Sequence, residues 1–164
     1  MTRVDFYILP DNASDGRELF ACRLAEKVYN MGHTLYLHTD SVAQAKQIDE
    51  LLWSYKESSF LPHAIEAADQ NNEPQNNAAQ NIAPKILIGH NAATPTEPHS
   101  HCDVLINLAA DVPGFFSRFE RVAELINQAE DLKVAGRERF KFYRDRGYQP
   151  ETHKIPETNK TQER

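Results

Sequence analysis

Basic side chains collect near the end of the chain, between Leu132 and Tyr148, where they could bind an anion. This stretch holds six basic and two acidic residues, although the whole chain has 18 basic and 24 acidic ones. On a helix, steps of four, four and three residues place side chains along one face. Four cations follow these steps, beside two aromatic rings: Lys133, Arg137, Lys141 and Arg144, with Phe140 and Tyr143. Such a ridge suits an anionic partner with an apolar group, whereas the plainer interpretation is a solvated basic face near a helix C-terminus.

A nucleotide site is the second chemistry to consider. Phosphate binding after the first strand of an α/β fold needs closely spaced glycines, but residues 9–16 (LPDNASDG) have one glycine and two aspartates. Asp40 follows the second strand, where a ribose-binding acid could lie, although its use as a helix cap is favoured. A mononucleotide-binding enzyme or sensor that uses Asp11 and Asp40 therefore stays the alternative function.

Metal and nucleophile chemistry find little support. Several residues of metal-ligand type lie close in sequence, but their spacing matches no recurring zinc site: His90, His99, His101, Cys102 and Asp103. Cys22 and Cys102 have no cysteine neighbour at metal or redox spacing and are interpreted as buried thiols. The serines lack a nucleophile-elbow context. The sequence thus predicts no metal, no cofactor and no catalytic constellation.

Length and composition predict one globular domain in the cytoplasm. At 164 residues the chain can bury a real core, and it has no apolar run long enough for a membrane span. Its first residues, MTRVD, lack the apolar core and cleavage site of a signal peptide, so we expect none. The acidic balance argues against coating of duplex DNA. Four aligned cations without a stacking platform also predict no strong direct binding of single strands.

Hydrophobic periodicity predicts alternating strands and helices, and hence an open, mostly parallel α/β sheet of Rossmann-like type. Strands are predicted at residues 4–9, 34–38, 85–89 and 102–108. Helices are predicted from Ser14 or Asp15 to Met31, from residues 39–41 through Leu52, and from Asp111 and Pro113 to Ile126, followed by the basic helix, which ends at Gly147. The expected domain is 1–148, with a mobile Asn/Gln-rich loop at 66–84 and a disordered tail at 149–164.

Three blocks carry a resemblance to a known family: residues 5–9 (DFYIL), residues 47–54 and 59–63 (QIDELLWS and SFLPH), and residues 137–144 (RERFKFYR). From about residue 3 to 148 the chain resembles the chi subunit family of bacterial DNA polymerase III. The resemblance implies a Rossmann-like, non-catalytic adaptor. Members of that family bind the psi subunit, which joins them to the clamp loader, and the acidic, phenylalanine-ended C-terminal tail of single-stranded-DNA-binding protein.

The resemblance also assigns residues. The tail-binding residues would be four cations, Lys133, Arg137, Lys141 and Arg144, with Phe140 and Ile126 in the apolar pocket. Phe140 stands where a tyrosine is more often expected, and a phenylalanine offers no hydroxyl. Trp53, Phe60 and Pro62 would face psi, which reverses the preference for burial that these residues suggest alone. The resemblance extends that surface to a repair helicase in some members.

Overall fold

The computed structural model describes residues 2–10, 16–54, 61–65, 85–90 and 103–155. They form one sheet in which every described strand pair is parallel, with the strand order β3-β4-β2-β5-β6-β1-β7. The strands are β1 Arg3–Ile8, β2 Leu35–Thr39, β3 His63–Ile65, β4 Ile86–His90, β5 Val104–Asn107, β6 Arg121–Ile126 and β7 Glu151–Lys154; the helices are α1 Gly16–Asn30, α2 Val42–Ser54 and α3 Glu130–Asp145, with one 3₁₀ turn at Phe116–Arg118. The predicted open α/β fold is confirmed.

The two faces of the sheet carry separate cores, because successive strand residues point to opposite sides. On one face α1 and α2 cover residues such as Leu35 and Leu37 of β2. On the other face the 3₁₀ turn and α3 cover Phe6 of β1 and Val122 of β6. Among the described helices, none is long and apolar enough to span a bilayer.

Local signals fix the helix ends. Gly32 and Gly147 follow α1 and α3 with φ angles of +87° and +93°, a conformation that glycine adopts without strain. At the start of α2, the Ser41 hydroxyl accepts a hydrogen bond from the backbone N–H of Gln44 at 3.1 Å. Ser41 is therefore the cap among the three candidates at residues 39–41, whereas the Asp40 carboxylate accepts a hydrogen bond from the Ala110 backbone.

The helix predicted from Asp111 to Ile126 is also wrong. Phe116–Arg118 is a single 3₁₀ turn, and Arg121–Ile126 is the strand β6 between β5 and β1. The strand is buried on both sides from Val122 onward, so apolar residues occupy both of its faces instead of alternating with exposed polar ones. The helical spacing of the apolar residues in this segment was coincidental.

The tail expected to be disordered contributes a strand, which corrects the predicted boundary at residue 148. Glu151–Lys154 forms β7, which pairs with β1 at the edge of the sheet. The His153 imidazole lies 2.9 Å from the carboxylate of Asp5, a fully buried side chain in β1. A hydrogen bond across two strands is a tertiary contact that no local pattern reveals. Residues 66–84 and 156–164 lie outside the described ranges.

Gly89 provides a test of the packing on the α3 side of the sheet. A Cβ at this position would overlap the hydroxyl group of Tyr36, which is completely buried. Gly89→Ala should therefore lower the free energy of unfolding by about 1–3 kcal/mol in urea denaturation. Gly114→Ala is the control, because no heavy atom lies within 4 Å of its Cβ. Equal stabilities of the two variants would contradict this packing.

Asp5 should make folding sensitive to acid. Burial alone would raise its pKa, but hydrogen bonds from His153 and Arg121 and the charges of Arg121 and Arg3 outweigh burial and hold the pKa below 3.8. A lowered folded-state pKa stabilises the protein above the unfolded value, and this stabilisation is lost as pH falls through the folded value.

Wild type should exceed Asp5→Asn in unfolding free energy by about 1–3 kcal/mol at pH 7. The difference should shrink below about pH 4, because the Asp5 carboxyl of the unfolded wild type takes up a proton there while the native carboxyl is still ionised. Urea titrations of both proteins across this range measure it, and a gap that stays constant to pH 2.5 would refute the assignment.

Candidate functional site

A buried polar cluster under α3 determines which face of that helix is exposed. Glu124 of β6 accepts hydrogen bonds from Arg139 at 2.7 Å, Tyr143 at 2.6 Å and Asn107 at 3.0 Å. Burial, together with the adjacent Glu124 charge, raises the pKa of Tyr143, so its hydroxyl stays a donor. Because Arg139 and Tyr143 point toward the sheet, the other cations of the helix lie on its remaining faces, and Arg137, Lys141 and Arg144 are exposed to solvent.

A groove of about 340 Å³ runs along this exposed face of α3. Its apolar part comes from three neighbouring elements, with Phe6 and Ile8 on β1, Ile126 on β6 and Phe140 on α3. The rings of Phe6 and Phe140 are 5.2 Å apart. Gly136 lets the helix approach Ile126 closely, since a Cβ at Gly136 would lie 3.0 Å from Cγ1 of that isoleucine. The groove therefore has a packed apolar floor.

The structure brings four of the six predicted tail-binding residues into this groove: Lys133, Arg137, Phe140 and Ile126. Arg144 is adjacent, because its guanidinium carbon lies 5.9 Å from the centre of the Phe140 ring. Lys141 lies apart from them and lines a separate groove beside Glu138 and Asp145. The four predicted cations thus form a group of three and one outlier.

The remaining lining residues escaped the sequence analysis: Phe6, Ile8, Gln128, Gly136, Thr152 and Lys154. The first two lie in a strand whose apolar residues indicate only burial. Thr152 and Lys154 lie in β7, which was predicted to be disordered. Residues 151–154 are too few to show a strand periodicity in the sequence. Only the pairing of β7 with β1 determines which face of the sheet each of these side chains is on.

Two of the residues assigned to psi, Trp53 and Pro62, lie at the opposite edge of the sheet. Trp53, near the end of α2, is 50% exposed, so the burial that sequence alone favoured is wrong for this residue. Its ring is 4.5 Å from that of His63 in β3, and Pro62 beside it is partly exposed. His63 is held between the Leu61 carbonyl at 2.6 Å and Asp49 at 3.0 Å. Phe60 lies outside the described residues.

Side-chain hydrogen bonds occupy the edge of the sheet where α/β proteins usually bind nucleotides. Ligands bind there between strands whose connections leave on opposite faces. Between β2 and β5, the Asp40 carboxylate accepts from the Ala110 amide at 3.1 Å, and between β6 and β1 the Gln128 amide donates to the Leu9 carbonyl at 2.9 Å. Asp40 is thereby engaged within the protein, and Asp11 lies outside the described residues.

The candidate metal ligands do not converge in the described part of the chain. His90 is the last residue of β4, at the carboxyl ends of the strands, whereas Asp103 immediately precedes β5, at their amino ends. Because the strands are parallel, the two residues are separated by about the length of a strand. His99, His101 and Cys102 are outside the described residues. Burial, with a smaller effect of the Glu18 charge, raises the pKa of Cys22 to about 12, as expected of a buried thiol.

One new group has suitable ligand types: Asp5, Glu151 and His153, whose ligand atoms lie within 4.8 Å of one another. However, Arg121 and Arg3 approach the Asp5 carboxylate at 2.9 and 3.4 Å. Two guanidinium groups already neutralise this carboxylate, so a divalent cation would meet their repulsion. The cluster fits a hydrogen-bonded strand anchor better than a metal site.

The described geometry defines an open parallel α/β protein whose clearest site is a basic groove with an aromatic floor. The family model for the DNA polymerase III chi subunit, HolC, matches residues 1–151, and the chain belongs to this family. Relatives described as DNA polymerase III subunit chi are 38% identical in Pseudomonas aeruginosa over 95% of this chain and 99% of the relative, and 30% identical in Haemophilus influenzae over 92% and 95%. The same description applies to a relative from Escherichia coli strain K12, 28% identical over 90% and 95%.

A solved structure shows a similar fold. The crystal structure of T4 UvsW superposes with a TM-score of 0.67 at 11% identity. The match covers 94% of this chain but only 41% of that one, and at this identity it speaks for the fold alone.

Substitution of Arg139 should destabilise the protein far more than substitution of Arg137, because only Arg139 is buried. Arg139→Met leaves the buried Glu124 charge without its ion-pair partner and should cost about 3–5 kcal/mol of unfolding free energy. Arg137→Met changes an exposed side chain and should stay within about 0.5 kcal/mol of wild type. Urea denaturation compares the two directly. If both variants lost the same stability, the buried cluster would not fix α3.

Proposed function

We propose that this chi-family protein is a non-catalytic adaptor that binds the acidic C-terminal tail of single-stranded-DNA-binding protein. Through a psi subunit it would link that tail to the DNA polymerase III clamp loader. The observation that carries the proposal is the groove between α3 and β7, where cations surround an aromatic floor.

The chemistry of the groove matches such a tail. Arg137 and Lys133 would pair with the terminal carboxylate and acidic side chains, because guanidinium and ammonium groups form strong charge-assisted hydrogen bonds to carboxylates. The terminal phenylalanine would pack on Phe6 and Phe140, whose rings already form an aromatic pair. At about 340 Å³ the groove is at the small end of ligand pockets, which suits one aromatic side chain and its carboxylate.

Arg144 and Lys141 would act farther along the peptide. Arg144 lies over Phe140 and is exposed, so it can reach acidic residues that precede the terminal ring. Lys141 faces the neighbouring groove and would contribute through longer-range attraction, which salt screens. We therefore rank Lys133 and Arg137 above Lys141 as contacts.

The opposite edge of the sheet would bind psi. Trp53 presents an exposed aromatic surface next to His63, the residue that follows Pro62, and large aromatic side chains are frequent anchors at protein interfaces. Phe60 belongs to the proposed surface through the family resemblance. Seven strands spaced about 4.8 Å apart put roughly 30 Å between β3 and β7, so both partners could bind together. A repair helicase would compete for the psi surface and leave the groove free.

A peptide titration tests the groove. A fluorescent acidic peptide that ends in phenylalanine should bind wild type, and the peptide without that residue should bind at least about tenfold more weakly, since the apolar floor and carboxylate site would both lose their occupant. Fluorescence anisotropy at moderate salt measures both. Equal affinity for the two peptides would rule out a specific pocket.

Charge reversal tests the cations. Arg137→Glu should weaken binding of the full peptide by about 1.5–3 kcal/mol, the cost of a lost hydrogen bond to a charged group. Arg23→Glu is the matched control, because Arg23 is an exposed arginine of α1 on the other face of the sheet. Wild-type affinity should also fall as salt rises. A similar loss in both variants would indicate nonspecific attraction.

A further inference from the structure

The strand β7 has two different faces, although it is only four residues long. Thr152 and Lys154 point to the α3 side, where both line the groove. Glu151 and His153 point to the other side, toward Asp5. This alternation is the normal period of a strand, so fixing one face of β7 also fixes the other.

The groove has an uncompensated positive charge to which β7 contributes. Three of its ten lining residues are cations, and none of the ten is acidic; the cations are Lys133 and Arg137 of α3 and Lys154 of β7. Lys154 is exposed and pairs in register with Ile8, whose side chain lines the same groove. The cations therefore line the groove from two elements, the helix and the edge strand.

A partly buried contact holds the strand in this position. His153 lies 2.9 Å from the Asp5 carboxylate, and its ring stacks on Tyr7 at 5.1 Å between centres with an interplanar angle of 23°. Asp5 is itself fixed by Arg121 at 2.9 Å. An edge strand has a partner on one side only, so such a contact contributes a larger share of its stability than it would in a central strand.

We propose that β7 is the second wall of the peptide groove, in which Lys154 binds a carboxylate of the acidic peptide and His153 is the positioning residue that holds the strand through Asp5. This proposal rests on the proposed function, because the acidic peptide is its ligand. It adds a cation that lies outside the basic helix and gives residues 149–155 a role in recognition.

Charge reversal at Lys154 tests the wall. In the peptide titration, Lys154→Glu should weaken binding about tenfold, because an attractive charge in the groove becomes repulsive. Lys27→Glu is the control, since Lys27 is exposed on α1 across the sheet. Loss of affinity in Lys154→Glu and Arg137→Glu, but not in Lys27→Glu, supports the proposal.

Two other results would count against it, in different ways. If wild type binds and Arg137→Glu weakens binding while Lys154→Glu behaves like Lys27→Glu, the second wall is wrong and the proposed function stands. If wild type does not bind the peptide at all, the proposed function fails and the ligand assigned to Lys154 fails with it.

The anchor is tested by a pair of substitutions at His153. His153→Ala should speed amide hydrogen exchange in residues 151–155 and lower the affinity for the peptide, although His153 does not line the groove. His153→Gln keeps an N–H donor at a similar reach and should restore slow exchange and most of the affinity. Faster exchange in His153→Ala with unchanged affinity would show that β7 is dispensable for recognition. Unchanged exchange would show that His153 does not hold the strand.

Discussion

The buried carboxylate of Glu124 is the constraint on which the candidate site depends. A charge in the middle of a sheet is tolerated only when hydrogen bonds replace its lost water, and here Arg139, Tyr143 and Asn107 supply them. Two of these donors are on α3, so the helix can satisfy Glu124 in only one rotation about its axis. That rotation turns Lys133 and Arg137 toward the groove.

The position of the groove follows from how α3 covers the sheet. Gly136 brings the helix close to Ile126 of β6, which leaves Ile8 of β1 only partly covered. The sheet continues beyond β1 into β7, so the uncovered floor is bounded by a helix on one side and a strand on the other. The groove is thus a consequence of one helix spanning fewer strands than the sheet provides.

The sequence predicts the fold class, α1, α2 and α3 because long amphipathic patterns and glycine stops are local signals. It misassigns residues 111–126, since a strand buried on both faces has no alternation and its apolar residues matched a helical period. It also misses β7, whose four residues are polar and depend on Asp5 for their position. The helical side of the groove could be predicted, whereas Thr152 and Lys154 could not, because their direction is set by pairing with β1.

The same fold that binds nucleotides elsewhere has its usual ligand crevices occupied by its own side chains. Asp40 and Gln128 each bridge two strands at a point where connections diverge, and both form hydrogen bonds to backbone groups there. These bonds connect neighbouring strands without a ligand. Recognition can then use the edges of the sheet, where β3 and β7 leave two surfaces far enough apart for two partners. The proposed adaptor role would use this separation, because a single central crevice would make two partners compete.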